Sequence, residues 1–208
     1  MINPTSISLV RHGHVFNPDN IVYGRLPGFC LSELGREQAQ AAAAFLRDRP
    51  LAAAFSSPQL RAQQTAEIIL APHNGLRLSI SPLINEVHVP FDGWPISKML
   101  ARQWDLYTGT GPEYEQPEDL LVRTHQFLTD VRQQYSGQHV VAVTHGDIIA
   151  FLHFWLRGIA LTPENKRNLP QLLGEYPAPA SITTVVYQTA DPAEVPFFEY
   201  VKPYETRI

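Results

Sequence analysis

SLVRHG (residues 8–13) and VVAVTHG (residues 140–146) are the stretches that decide how this chain folds. Each is a short apolar run that ends in His-Gly, and its length and β-branched residues favour a buried strand over a helix. Such a strand brings an imidazole to the edge of a sheet, where the glycine lets backbone or ligand come close. Because ligands of open α/β sheets bind at the carboxyl ends of the strands, His12 and His145 are predicted to share one site.

Strands and helices alternate along the chain, apart from one irregular stretch in the middle. Ser32 offers an N-cap for the first helix, and Ser57 followed by Pro58 is typical of the start of the second. The predicted strands cover residues 6–10, 51–55, 76–80, 140–144, 182–187 and 197–201, and the main predicted helices cover residues 33–48, 58–70, 118–135 and 147–156. This order predicts an α/β fold in which helices cover both faces of a mostly parallel sheet.

Residues 81–118 are rich in proline and show no sustained hydrophobic period. A long irregular connection is more often functional than incidental, so we expect a loop-rich cap over the site, with one short helix near residues 98–106. A chain of this length fits one domain. Residues 1–208 are therefore predicted to form a single domain that includes the cap.

Composition excludes several classes of partner. The net charge of -4 leaves no basic face for nucleic acid or an anionic membrane, so an anionic ligand needs a local cationic pocket. Cys30 is the single cysteine, which excludes an intramolecular disulfide and argues against a cysteine-bound zinc ion. With no signal segment ahead of the first strand, we expect a cytoplasmic protein. The sequence does not indicate the oligomeric state.

Side chains near the strand ends point to phosphate chemistry. A neutral imidazole such as that of His12 attacks phosphorus once the charge on the phosphoryl oxygens is neutralised, and the planar fork of Arg11 can neutralise it. Arg61 is predicted in the first turn of the second helix, where the helix dipole disfavours a cation and an anionic ligand would relieve the conflict. His145, as an imidazolium, could bind another phosphoryl oxygen.

The chemistry also needs an acid, because an alkoxide leaves poorly near neutral pH. The middle stretch offers Glu86, His88 and Asp92 as candidates. Glu86 follows the apolar pair Leu83 and Ile84, so we expect its carboxyl group to be partly desolvated, with a raised pKa.

Five motifs, in this order, resemble the histidine phosphatase superfamily and more narrowly its phosphoglycerate-mutase-like branch. They are VRHG (residues 10–13), LSELG (31–35), SSP with RAQQTA (56–66), NE (85–86) and VTHG (143–146). The resemblance implies a three-layer α/β/α sandwich with a mostly parallel central sheet. That fold agrees with the alternation of strands and helices.

The resemblance also implies a role for each matching residue. His12 would be the nucleophile and would pass through a phosphohistidine. Arg11, Arg61 and His145 would form the phosphate pocket with it. Glu86 would donate a proton to the leaving group and then activate water. No metal ion and no organic cofactor are expected.

Positions beside these motifs depart from the family pattern. His14 stands where the family usually has Glu or Gln, and Asn17 comes one position earlier than the usual asparagine. Arg25 lies in a loop that matches only loosely. We therefore expect His14, Asn17 and Arg25 to contact the substrate, whose identity the sequence does not name.

The function predicted on these grounds is hydrolysis of a small phosphomonoester metabolite by a metal-independent phosphatase. Phosphoryl transfer of the phosphoglycerate-mutase type is one alternative, although residues 87–94 lack the mutase signature. A module that binds a phosphorylated ligand without catalysis is another, since a fold does not fix a function. A metal-dependent hydrolase is the third, with ligands from His12, His14, His145 and Asp147.

Overall fold

Strands and helices alternate along the chain in the computed structural model, which describes residues 3–205. The strands are β1 (Thr5–Arg11), β2 (Leu51–Ser56), β3 (Leu78–Ile80), β4 (His139–Thr144), β5 (Ile182–Tyr187) and β6 (Phe197–Val201). The helices are α1 (Glu33–Leu46), α2 (Leu60–Leu70), α3 (Ile96–Ala101), α4 (Pro117–Gln134), α5 (Gly146–Leu156), α6 (Pro163–Arg167) and α7 (Leu169–Leu173). The predicted positions of β5 and β6 are confirmed to the residue.

One sheet joins these strands in the order β3-β2-β4-β1-β5-β6. The pairings among β1 to β4 are parallel, whereas β5 is antiparallel to both of its neighbours. The sheet is therefore mostly parallel, as predicted. β1 and β4 are adjacent, and Arg11 pairs with Thr144 at their carboxyl ends. The next residues, His12 and His145, consequently leave the sheet side by side.

Alternate residues of the central strands face helices on opposite sides of the sheet. Ile7 and Leu9 of β1 belong to the apolar cluster with α4 and α5, whereas Val10 belongs to the cluster with α1 and α2. In β4, Val140 belongs to the cluster with α4 and α5, and Val141 belongs to the cluster with α1 and α2. Burial on both faces explains why these strands are continuous apolar runs, and it produces the predicted three-layer α/β/α sandwich.

The connection between β3 and α4 has its own apolar core despite its irregular backbone. Val87, Val89 and Phe91 are buried in a cluster with residues of α4 and α5, while His88 between them is exposed. A single 3-10 turn covers Pro82–Ile84, and α3 begins at Ile96, two residues before the predicted short helix. The apolar core anchors this segment on the two helices of one face of the sheet.

The start of one helix was predicted correctly and that of another was not. Ser32 is the N-cap of α1, since its hydroxyl accepts a hydrogen bond from the Gly35 N–H at 3.1 Å. Ser57 is not the N-cap of α2, which begins at Leu60. The Ser57 hydroxyl lies 2.7 Å from His145 Nε2 instead. The hydroxyl that would have capped the helix is therefore bonded to His145. The short helices α6 and α7 were not predicted, and each has a proline in its first turn.

The most apolar helix lies inside the domain. α5 spans 11 residues, and all of them from Gly146 to Phe154 are buried. A helix that crosses a membrane needs about 20 apolar residues. Within residues 3–205, no helix is long and apolar enough to cross one.

Candidate active site

The ring of His12, directly after β1, is held in one orientation. Its Nδ1 lies 2.8 Å from the carbonyl oxygen of Gly13, which can only accept a hydrogen bond, so Nδ1 carries the proton. Nε2 therefore carries a lone pair, and the Nε–H of Arg61 approaches it at 3.2 Å. Burial, together with the positive charge of Arg61, lowers the pKa of His12 well below its usual range. His12 is thus a neutral imidazole with an unprotonated Nε2, the state a nucleophile needs.

Two glycines bring the N-terminus of α1 against the backbone that carries His12. A Cβ atom at Gly13 would lie 2.4 Å from the carbonyl oxygen of Gly35, and one at Gly35 would lie 2.0 Å from the carbonyl oxygen of His14. Both contacts are with backbone, so a side chain fits at neither position. The Gly13 N–H also donates to Thr65 Oγ1 of α2 at 3.1 Å. The fold thereby fixes the turn after β1 from two helices.

Arg61, the second residue of α2, is fully buried and lies among the other site residues. Besides His12, its guanidinium contacts Glu86 Oε2 at 3.1 Å and His145 Nδ1 at 3.4 Å. The ion pair with Glu86 compensates its charge. Its predicted place in the first turn of the second helix is confirmed, and a buried guanidinium there suits an anionic ligand.

His145 and Glu86 form a hydrogen-bonded pair beside Arg61. His145 is the N-cap residue of α5, is fully buried, and places Nδ1 3.1 Å from Glu86 Oε2. Burial and the charge of Arg61 outweigh the carboxylate and lower the pKa of His145 to about 4. The expected imidazolium is therefore wrong for this arrangement, since His145 is neutral near neutral pH.

The carboxyl group of Glu86 is ionised. Burial would raise its pKa. The hydrogen bond from His145 and the positive charge of Arg61 outweigh burial and hold the pKa well below its usual range. Its second oxygen, Oε1, accepts a hydrogen bond from the Val87 N–H at 3.0 Å. The predicted rise in pKa is wrong, because the sequence around Glu86 does not reveal the donors that the fold brings to it. A second anion that competed for these donors would raise the pKa of Glu86.

Arg11 lies at the end of β1, beside this cluster. Its NH1 donates to the carbonyl oxygen of Pro177 at 2.5 Å, and its guanidinium stacks on the ring of Tyr176 at 5.0 Å. Its Nε is buried and has no hydrogen-bond partner among residues 3–205. A buried unpaired donor costs about 1–3 kcal/mol, so an anion that accepts from Nε would remove that cost.

Two neighbours of Arg61 were missed by the sequence analysis. The ring of Tyr23 stacks on the guanidinium, with 4.7 Å to the ring centroid, and the carbonyl oxygen of Gly24 accepts from NH2 at 2.8 Å. Both belong to the loop that matches the family only loosely, and an aromatic residue in such a loop was the one signal available. They hold the Arg61 guanidinium through contacts that do not involve Glu86.

A second group that was missed surrounds Asp147 in the first turn of α5. Its carboxylate accepts hydrogen bonds from the hydroxyl groups of Tyr107 and Tyr176, the latter at 2.5 Å. Tyr107 comes from the connection before α4, and Tyr176 from the segment that also stacks on Arg11. Asp147, two residues after His145, therefore links the segments that carry Tyr107 and Tyr176. No local sequence pattern predicts these two hydrogen bonds.

Of the three predicted substrate contacts, Arg25 reaches this cluster, since its Nε donates a hydrogen bond to the Glu86 carbonyl oxygen at 2.8 Å. His14 and Asn17 bond elsewhere. His14 is exposed, and its Nδ1 lies 2.8 Å from the hydroxyl of the serine that caps α1. Asn17 makes both of its side-chain hydrogen bonds with the backbone of Ile21. Arg25 forms an ion pair with Glu115 at 2.8 Å. Their roles in substrate binding stay predictions.

Two of the four residues of the alternative metal site, His12 and His145, lie together. Among the described residues, the side chains that could jointly ligate a metal ion are His12, Glu86 and His145, with their ligand atoms within 4.8 Å of one another. Arg61 contacts all three. A cation in their midst would face this fixed positive charge, so the electrostatics favour an anion. His14 and Asp147, the remaining predicted metal ligands, bond elsewhere.

Comparison with known proteins identifies the family. The profile of the histidine phosphatase superfamily (branch 1) matches residues 7–195. The chain belongs to this superfamily. An uncharacterized protein of Mycobacterium tuberculosis is 34% identical over 197 residues, which cover 90% of this chain and 92% of that protein.

Solved structures of a phosphatase and a mutase share the fold. A mycobacterial glucosyl-3-phosphoglycerate phosphatase has a TM-score of 0.74 at 25% identity, covering 95% of this chain and 97% of that chain. A phosphoglycerate mutase from Bacillus anthracis has a TM-score of 0.75 at 20% identity, covering 97% and 93%. The predicted family and the predicted phosphoglycerate-mutase-like fold are confirmed. Family and neighbours together indicate an enzyme of the phosphatase or mutase type.

Proposed function

We propose that this histidine phosphatase hydrolyses a small phosphomonoester through a phosphohistidine intermediate on His12. The observation that carries the proposal is the neutral His12 ring, whose Nδ1–H is fixed on Gly13 and whose Nε2 faces Arg61. A buried nucleophile beside a guanidinium suits attack on a phosphoryl group, because catalysis of phosphoryl transfer is mostly positioning and charge stabilisation.

Arg11, Arg61 and His145 would hold the phosphoryl oxygens. Arg61 can exchange its contacts with Glu86 for phosphoryl oxygens, and the unpaired Nε–H of Arg11 offers a further donor. His145 donates from Nδ1 as a neutral ring, with the Ser57 hydroxyl holding Nε2. The proposed phosphate pocket thus contains the positive charges of Arg11 and Arg61 and one neutral hydrogen-bond donor, His145.

In the first step, Nε2 of His12 bonds to phosphorus while the bond from phosphorus to the alcohol oxygen breaks. The protonated carboxyl group of Glu86 gives its proton to the departing oxygen, so an alcohol leaves and Glu86 becomes a carboxylate. The Nδ1–H of His12 stays on the ring, where the Gly13 carbonyl stabilises the positive charge that develops.

In the second step, water attacks the phosphohistidine. The Glu86 carboxylate takes a proton from the water while the water oxygen bonds to phosphorus. At the same time the bond between phosphorus and Nε2 of His12 breaks. Inorganic phosphate forms and His12 is neutral again. The proton that Glu86 took from the water leaves with the phosphate, so Glu86 returns to a carboxylate before the next substrate binds.

The proton for the first step enters with the substrate. Glu86 is ionised among its present partners. A phosphate monoester has a second pKa of about 6 and carries a proton below that pH. Once the phosphoryl group competes for Arg61 and His145, its negative charge raises the pKa of Glu86, which then accepts this proton.

Transfer to water, rather than to a second substrate, is the version we propose. It is supported by the phosphatase among the solved relatives at 25% identity and by residues 87–94, which lack the mutase signature. We also propose that the enzyme needs no metal ion, that its partner is a small phosphorylated molecule, and that it acts in the cytoplasm.

The test is phosphate release from a panel of phosphorylated sugars, glycerates, nucleotides and prenyl alcohols. We expect at least one substrate to turn over, His12→Ala to abolish turnover, and a chelator to have no effect. Turnover that chelation abolishes and zinc restores would support the metal-dependent alternative. Transfer to a phosphate acceptor without release would support the mutase, and binding without turnover would support the binding module.

A further inference from the structure

Glu115, just before α4, holds two arginines and a backbone amide with one carboxylate. Its Oε2 accepts from Arg25 NH2 at 2.8 Å and from the His88 N–H at 2.7 Å. Its Oε1 accepts from Arg123 Nε at 2.8 Å. The Glu115 N–H also donates to the His88 carbonyl oxygen at 2.9 Å. Glu115 thus fixes the backbone two residues beyond Glu86.

The same two arginines meet the main chain of Glu86 itself. Arg25 Nε donates to the Glu86 carbonyl oxygen at 2.8 Å, and Arg123 NH2 approaches that oxygen at 3.3 Å. Arg123 NH1 also donates to the carbonyl oxygen of Leu83 at 2.8 Å. The segment that carries Glu86 is therefore held by side chains from a distant loop and from α4.

The charge balance makes Glu115 the residue on which this arrangement depends. Two guanidinium groups converge on one carbonyl oxygen and would repel each other without an anion between them. The side chains of Arg25, Arg123 and Glu115 are 31%, 13% and 21% exposed, so water screens this repulsion only in part. A neutral residue at position 115 would let the arginines separate and release the Glu86 backbone.

Glu86 needs such support because both of its oxygens have assigned partners. Oε2 lies 3.1 Å from Arg61 and from His145, and Oε1 accepts from Val87. A catalytic group displaced by about 1 Å can lose a factor of about 100 in rate. A small movement of the backbone at Glu86 would therefore reduce proton transfer before it affected His12, which follows β1 in another part of the chain.

We propose that Glu115 is a positioning residue for the proton donor: it holds Arg25 and Arg123 on the main chain of Glu86. This rests on the proposed function, in which Glu86 protonates the leaving group. The inference also gives Arg25 a task different from the predicted contact with substrate, namely holding the acid.

The test compares Glu115→Gln with a matched variant, Glu194→Gln. Glu194 lies in the hairpin between β5 and β6 and forms an ion pair with Arg132 of α4 at 2.8 Å. The side chains of Glu194 and Arg132 are 15% and 13% exposed, so the pair is about as buried as that of Glu115. We expect Glu115→Gln to lose about tenfold or more in kcat with an alkyl phosphate, and about threefold or less with 4-nitrophenyl phosphate, whose leaving group needs little protonation. Glu194→Gln should leave both rates unchanged. Equal losses on both substrates in Glu115→Gln, or none, would overturn the proposal.

A double-mutant cycle separates positioning from general destabilisation. In a Glu86→Gln background no proton donor remains, so adding Glu115→Gln should cause no further selective loss on the alkyl phosphate. A selective loss as large as in the wild-type background would refute the coupling, whatever the stability of the variants. Phosphoenzyme formation on His12 in the wild-type protein is measured alongside. Its absence would count against the proposed function, whereas its presence with an unaffected Glu115→Gln would count against this inference alone.

Discussion

The hydrogen bond between His12 Nδ1 and the Gly13 carbonyl oxygen determines which ring nitrogen has a free lone pair. Because the carbonyl can only accept, the proton stays on Nδ1 and the lone pair stays on Nε2. Arg61 and the burial of the ring disfavour a second proton. The ring is therefore in the state that the proposed attack on phosphorus needs before any substrate binds, without a separate base.

This state of His12 can be observed directly by NMR of the labelled protein. We expect the His12 ring to be in the neutral Nδ1–H form at a pH of about 6.5, where an ordinary histidine is half protonated, because its pKa lies well below that value. The 15N and 13C shifts of the ring report the tautomer and the protonation. His12→Ala assigns the signals, and a midpoint near the ordinary histidine value would contradict the expectation.

Glu86 is predicted to matter most for substrates with poor leaving groups. General acid catalysis contributes about 100-fold to 10,000-fold, so Glu86→Gln should lose at least about 100-fold in kcat with an alkyl phosphate and much less with 4-nitrophenyl phosphate. The pH profile adds a second check. Since the proton enters with the substrate, kcat/KM for the alkyl phosphate should fall as the pH rises above about 6. Equal losses on both substrates would move the acid to Asp92 or His88.

At the scale of elements, the close contact between α1 and the turn after β1 fixes the backbone that carries His12. Gly35 lies in the first turn of α1, where alanine would normally favour the helix by about 1 kcal/mol. The His14 carbonyl oxygen, 2.0 Å from the would-be Cβ, reverses this preference. The helix is therefore held near the site at the expense of its intrinsic stability.

Gly35→Ala should consequently destabilise the protein. We expect a loss of about 1–3 kcal/mol in the free energy of unfolding, as for other overpacked positions, together with reduced kcat. Gly111→Ala is the control, since its Cβ would meet only the flexible end of the Glu113 side chain. Urea unfolding of both variants provides the comparison. Equal stability of Gly35→Ala and wild type would show that α1 can move away from the turn.

At the scale of the whole molecule, buried histidines link stability to pH. His145 and His153 are buried, and burial lowers the pKa of each to about 4. In the unfolded chain each takes up a proton near pH 6.5, so the unfolded state binds more protons between about pH 4 and about pH 6.5. The free energy of unfolding must therefore fall as the pH is lowered through this window.

The expected size of this effect is about 1 kcal/mol for each histidine between about pH 6.5 and about pH 5.5. His153 lies away from the catalytic cluster and contacts Thr183 Oγ1 at 2.8 Å, so His153→Gln isolates one contribution. Urea unfolding at the two pH values should show a dependence about 1 kcal/mol smaller in the variant. An unchanged dependence would mean that His153 takes up its proton at the same pH in the folded and the unfolded protein.

Features with a local signal were predicted well. The apolar strands with His-Gly ends placed His12 and His145 together, because adjacency of parallel strands follows from the fold class. Ser32 was correct as a cap, since capping depends on residues three positions apart. Ser57 failed the same reasoning because a partner far along the chain, His145, takes its hydroxyl.

Features that depend on distant partners were not predicted. The pKa of Glu86 was assigned the wrong direction because burial was inferred from Leu83 and Ile84, while Arg61 and His145 come from other elements. The hydrogen bonds that Asp147 accepts from Tyr107 and Tyr176 likewise join residues that are far apart in the sequence. Sequence patterns report periodicity and capping, whereas the electrostatics of a site depend on contacts that only the fold creates.

The measurement that tests the central claim most directly is rapid quenching of the enzyme in base during turnover of 4-nitrophenyl phosphate, followed by location of the phosphate. We predict a phosphohistidine on Nε2 of His12, formed as a burst of nitrophenol and absent in His12→Ala. Phosphate on another residue, on Nδ1 of His12, or full turnover by His12→Ala would contradict the account.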